Sequence, residues 1–113
     1  MTPEPPPYML PRLHGRLADI ERAVAKHYGI PVRRLHNGGR EFHIVWPRQV
    51  AMWLMRRYAS ESEIGRWYGK DHGSVANAAR RVTEACQCYG RVRVELARLR
   101  LQVMRESGED RGV

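Results

Sequence analysis

The sequence predicts an all-α fold, a bundle of five or six helices built around a helix-turn-helix. Three observations predict it. Apolar residues recur at three- and four-residue steps through most of the chain. The one short β-like run, Ile44–Trp46, has no neighbouring run to pair with. Glycine, serine and aspartate stand where helices would stop and start.

Met1–Pro11 is proline-rich and reads as an extended tail, so residues 1–16 are expected to be disordered. Leu17 to Tyr28 reads as the first helix, with Leu17, Ile20, Ala23 and Val24 on one face. Gly29 and Pro31 stop it, and Pro31–Leu35 forms at most one further turn. His36–Trp46 reads as a loop broken by Asn37-Gly38-Gly39. Pro47 opens the next helix, because its missing N–H is not needed there, and Arg48–Tyr58 continues it. Val50, Ala51, Leu54, Met55 and Tyr58 form its apolar stripe, with Arg48, Arg56 and Arg57 on other faces.

Ser60 and Glu63 have the spacing of a capping box and start a short helix, Glu61–Tyr68. Gly69 breaks it, and Asp71 caps a second helix from about His72 toward Tyr89. Gly90 allows a bend before a final helix, Arg91–Ser107, with Val92, Leu96, Leu99 and Val103 on one stripe. That stripe is about two heptads long, too short to read as a coiled coil. Packing back onto the domain is the preferred reading, and a homodimer is the alternative. Residues 17–90 thus form the helical domain, and 91–113 a C-terminal helix and tail.

The 113 residues are enough for one modest core. The net charge is +8, and Lys26 and Lys70 are the only lysines among 20 basic residues. Arginine presents a planar fork of donors that matches phosphates and guanine edges, so a polyanion is the expected partner. A genome bias toward arginine codons is the competing explanation. No apolar run is long enough for a membrane span, and the N-terminus does not read as a signal peptide. A cytoplasmic protein is expected, with no membrane partner and no small-molecule substrate. Cys86 and Cys88 point to different faces of a helix and read as reduced thiols. His14, His27, His36 and His43 lack ligand spacing, so no metal or other cofactor is expected.

Two short helices joined at a tight glycine turn define the helix-turn-helix, centred on Ile64–Val82. Gly65 suits a close crossing, and Gly69 suits a left-handed turn. Val75 and Ala78 or Ala79 face inward toward Ile64 and Tyr68. His72, Gly73, Ser74 and Asn77 then face outward, small or polar groups suited to base edges in a major groove. Arg66, Lys70, Arg80 and Arg81 surround them and can neutralise phosphates. Arg33, Arg34 and Arg40, around the preceding loop, and Ser62 complete the candidate DNA contacts read from the chain. An ordinary helical hairpin is the bland alternative.

Four motifs in order, Ile20–Pro31, Pro47–Leu54, Glu63–Gly65 and Asp71–Val75, resemble one family. It is the C-terminal DNA-binding domain of DnaA, the bacterial chromosomal replication initiator, and the resemblance covers roughly Leu17–Val82. It implies a Trp-repressor-like arrangement whose second helix enters the major groove of a short asymmetric site. It adds Asp71 to His72 and Ser74 as base-reading candidates, assigns Arg48 to the DNA backbone, and places Arg40–Trp46 at the minor groove. Three departures imply altered or relaxed specificity. Trp46 stands where the family has arginine, Gly69–His72 is one residue shorter, and Gly73 replaces a threonine.

No Gly-x-x-x-x-Gly-Lys-Ser/Thr loop is present. The chain reads as a free-standing copy of the DNA-binding domain, without ATPase activity. Glu61, Glu63 and Asp71 are explained by capping, and no nucleophile–base pair can be named, so an enzyme is not expected. Some readings stay open. His72 is a base contact or a capping-region histidine. Trp46 stacks on DNA or closes the core. A protein-interaction adaptor, using the tail and final helix, and a single-stranded RNA binder are the rival functions.

Overall fold

A computed structural model describes residues 11–36 and 39–106. Among them the chain forms α1 (Pro11–Tyr28), α2 (Val32–His36), α3 (Phe42–Met55), α4 (Glu61–Tyr68), α5 (His72–Cys88) and α6 (Gly90–Glu106), with no strand. The core is one cluster to which every helix contributes. Leu17, Ile20 and Val24 come from α1, Leu35 from α2, Val50 and Met55 from α3, and Ile64 from α4. Val75 and Val82 of α5 and Leu96 and Leu99 of α6 complete it. Burying one such side chain stabilises the fold by roughly 1.5–3 kcal/mol. α3 packs on α1, α2 and α5, and α5 also receives α4 and α6.

Several expectations are corrected. The first helix starts at Pro11, not Leu17, so residues 11–16 belong to α1 rather than to a disordered tail. Proline is tolerated in a first turn, and Arg16 lies over the Tyr58 ring with its guanidinium carbon 4.6 Å from the centroid. The rest of the proline-rich segment lies outside the described residues.

The segment Phe42–Trp46 is helix, not loop, and Pro47 lies inside α3 instead of opening it. Ile44 is buried, and the Trp46 indole N–H donates to the Tyr28 hydroxyl at 3.0 Å. These tertiary contacts override the strand propensity of Ile44 and Val45. Pro47 forfeits one helix hydrogen bond, toward the carbonyl of His43, an exposed residue that water can reach. The same helix ends at Met55, before the expected Tyr58, in a turn whose Tyr58 N–H reaches the Met55 carbonyl.

Arg48, expected on a face away from the core, is only 7% exposed. Finally, the bend between the last two helices falls on Tyr89, whose backbone is extended (φ −128°, ψ 109°), and Gly90 opens α6. Leu96, Leu99 and Val103 are buried, so the α6 stripe is used against its own domain, on α1 and α5.

A polar tie crosses the apolar core. The Glu21 carboxylate, 2% exposed, accepts the Trp67 indole N–H at 2.6 Å and lies 2.5 Å from His36 Nε2. One buried acid thereby joins α1, α2 and α4. A buried polar group is retained only with such partners.

Candidate nucleic-acid interface

The helix-turn-helix is built by local chemistry. The Ser60 hydroxyl accepts the Glu63 N–H at 3.1 Å, and the Ser60 N–H donates to the Glu63 carboxylate at 2.9 Å. This closed capping box fixes the start of α4. Glu61 also pairs with Arg56 at 3.0 Å. At the other end, Gly69 takes φ +67°, a left-handed conformation cheap only for glycine. The Lys70 N–H then donates to the Gly65 carbonyl at 2.7 Å. A Cβ on Gly65 would collide with the Lys70 carbonyl oxygen, so only glycine lets the turn close against α4.

Asp71 caps α5, its carboxylate accepting the Ser74 N–H at 2.7 Å. That hydrogen bond holds the Asp71 carboxyl below its ordinary pKa. The Asp71 oxygen that caps is thereby committed to the helix, and the side chains of His72 and Ser74 are exposed on the first turn. Asn77, one turn on, accepts from the Arg80 guanidinium at 2.9 Å, which orients its amide N–H groups as donors. Val75, Ala78 and Ala79 are buried, as the inward face requires.

The middle of α3 lies alongside this turn. Val45, Arg48, Gln49 and Met52 line an open cleft of about 150 Å³ with Lys70, Ser74 and Ala78. Arg48 braces it from within: its Nε–H donates to the Leu35 carbonyl at 2.7 Å and an Nη–H to the Gly39 carbonyl at 3.5 Å. Burial pulls its guanidinium below the usual arginine value.

The sequence-derived candidates therefore divide. Ser62, Arg66, Lys70, Asp71, His72, Gly73, Ser74, Asn77, Arg80 and Arg81 are exposed on α4, the turn and α5, and Arg33 and Arg40 are exposed around the α2–α3 connection. Arg34 is half-buried and pairs with Glu41 at 3.4 Å. Trp46 is half-buried, packed on the core and tied to Tyr28. Gln49, which sequence reasoning passed over, reaches the same cleft as Ser74. Its place directly after Pro47 and Arg48, in one of the most distinctive motifs of the chain, was the available signal. No cluster of three metal-ligating side chains occurs among the described residues.

Comparison with known sequences decides the family. The pattern described as "Bacterial dnaA protein helix-turn-helix" matches residues 17–82, more than half of the chain. The chain belongs to the bacterial DnaA helix-turn-helix family. The match ends inside α5, so the last third of α5 and all of α6 lie beyond it. The chromosomal replication initiator protein DnaA of Deinococcus radiodurans is 41% identical over 70 residues, covering 60% of this chain and 15% of that protein. Its counterpart in Herpetosiphon aurantiacus is 36% identical over 92 residues, 79% of this chain and 20% of that one. The Rhizobium meliloti protein is 43% identical over 72 residues, 61% and 15% respectively. The chain thus spans at most about a fifth of the length of these relatives. Membership of this family supports DNA binding.

Proposed function

We propose that this chain binds double-stranded DNA, with the first turn of α5 reading base edges and the surrounding arginines and Lys70 neutralising phosphates. The observation that carries the reading is the exposed polar first turn of α5. One Asp71 oxygen caps the helix, and the exposed Asp71, His72, Ser74 and Asn77 side chains face outward. The N-terminal turn of a recognition helix is where base edges are met. Arg66, Lys70, Arg80 and Arg81 supply the positive rim.

The reading is of a binding module acting at the nucleoid, as a regulator or as a competitor of the replication initiator at related sites. It assigns the chain no ATPase activity. Glu63 and Asp71 serve as helix caps and Glu61 sits in an ion pair, so structural roles account for these acids near the turn. Specificity is altered relative to the family. The Trp46 indole N–H is engaged by Tyr28, so that position contributes packing where the family has a cation. Gly73 offers no methyl to a thymine.

The test compares affinity for the family's site with that for scrambled duplexes at one salt concentration, in the wild type and in His72→Ala and Asn77→Ala. A modest preference for the site that these variants erase supports base reading by α5. A preference above about a thousandfold would sink the relaxed-specificity part. A preference untouched by either variant would move base reading elsewhere.

A further inference from the structure

α6 carries two apolar stripes, and its own domain uses one of them. Leu96, Leu99 and Val103 are buried, and the helix packs on α1 and α5. Val94, Ala97, Leu101 and Met104 recur at 3-4-3 spacing on a second stripe. It lies roughly 150° round the helix, at about 100° per residue. Val94 is 48% and Leu101 51% exposed, Ala97 is exposed and Met104 half-buried. Single exposed apolar residues are ordinary on a protein surface. These four recur with the period of a helix-to-helix seam, the a and d positions of a heptad.

The charges keep the same register. With Val94 and Leu101 at a, and Ala97 and Met104 at d, Arg91, Arg98 and Arg105 fall at e. Arg93 and Arg100 fall at g. Every arginine of α6 therefore flanks the seam. Arg100 also lies over the Trp53 ring, its guanidinium carbon 4.4 Å from the centroid, so that flank is held against the domain. The two acids of the helix stand off the seam. Glu95 accepts from the Tyr28 hydroxyl at 2.8 Å and lies 3.0 Å from His27 Nε2, and Glu106 accepts from Gln102 at 3.2 Å.

This pattern selects among occupants, because residues at e and g set the choice of partner. A second copy would bring arginine flank against arginine flank, whether the helices ran parallel or antiparallel. A DNA backbone would satisfy the arginines and leave Val94 and Leu101 against phosphates. A helix with apolar residues at a and d and acids at e and g satisfies both. Nor is α6 part of the segment that matches the DNA-binding family, which ends at residue 82.

We propose that the outer face of α6 docks an acidic amphipathic helix of a protein partner. The partner's apolar stripe lies on Val94 and Leu101, and its carboxylates pair with the flanking arginines. Exposed ion pairs are individually weak, so the apolar seam supplies the affinity and the charges choose the partner. The proposal stands independently of the DNA-binding reading.

The test titrates the full chain into a labelled synthetic helix of three heptads, with leucine at a and d and glutamate at e and g. Salt is held at about 0.15 M, where long-range attraction is screened. A scrambled peptide of the same composition, and one with lysine at e and g, stand beside it. Fluorescence anisotropy should show saturable binding of the ordered acidic helix alone. Leu101→Ser should weaken it about tenfold or more, as loss of a seam residue does. The double variant Arg98→Glu, Arg105→Glu should prefer the lysine peptide. All three side chains are exposed, so thermal unfolding and duplex affinity should stay at wild-type values. No binding of the acidic helix, equal binding of the scrambled one, or binding that Leu101→Ser leaves unchanged would overturn the seam. A duplex salt slope that falls in the double variant would give these arginines to phosphates instead. A chain that sediments as a dimer, and as a monomer with Leu101→Ser, would give the seam to a second copy.

Discussion

The Lys70 N–H donates to the Gly65 carbonyl at 2.7 Å, and the Lys70 carbonyl oxygen occupies the space a Gly65 Cβ would need. Backbone therefore meets backbone on both sides of the turn, and neither can yield. Gly65→Ala is expected to cost about 1–3 kcal/mol, as overpacking does. Duplex binding should weaken with it, because Lys70 and Asp71 move with the turn. Gly15→Ala is the control. That position in α1 has nothing within 4 Å of an added methyl, so it should gain up to about 1 kcal/mol from helix propensity. Thermal unfolding of the two variants checks both signs.

Asp71 ties stability to pH. Its folded-state carboxyl is held below its ordinary value, mainly by the Ser74 N–H. A depressed acid contributes stability above its unfolded pKa, near about 3.9, and loses it as pH falls through the folded value. Asp71→Ala should therefore melt below wild type at neutral pH. The gap should close progressively below about pH 4. A gap that persists unchanged in acid would mean the cap contributes nothing through its charge.

Arg48 has a structural task to perform before any DNA is present. Its hydrogen bonds to the Leu35 and Gly39 carbonyls hold α2 and the start of the α2–α3 connection against α3. Replacing it by methionine leaves the buried Leu35 carbonyl short of a partner, at a cost of about 1–3 kcal/mol. The DNA-free protein should show this as a lower melting temperature. An unchanged melting temperature would return Arg48 to a role in DNA contact alone.

Tyr28 links three helices, accepting from Trp46 of α3 and donating to Glu95 of α6. Burial is the main reason its phenol titrates well above the usual tyrosine range, with Glu95 adding to the effect. Tyr28→Phe removes both bonds and should destabilise by roughly 1–2 kcal/mol. Tryptophan emission should shift to the red as Trp46 loses its partner. Unfolding and fluorescence of this one variant test the link.

These residues also mark what sequence could reveal. Ser60, Glu63, Gly69 and Asp71 act on backbone within a few residues of themselves, so their spacing disclosed the helix-turn-helix directly. The α6 stripe was equally legible, because burial follows helical period. Phe42–Trp46 was not. Its β-branched pair and the following proline argue against helix, and the opposing contact, Tyr28, is distant in sequence. Arg48 was hidden for a related reason. Its acceptors are carbonyls upstream of α3, and no spacing rule announces a cation that is buried to brace a loop. At the interface, sequence supplied the exposed face of α5, while Gln49 emerged only once α3 was seen to lie alongside it.

The most direct measurement is fluorescence anisotropy of a labelled duplex carrying the family's site, titrated with the full chain over a salt series beside a scrambled duplex. Each phosphate contact contributes about 0.9 to the log–log salt slope. Preferential binding with a slope of several units is the predicted result. No binding to either duplex at low salt would contradict the assignment of the α5 face and its arginine rim to DNA.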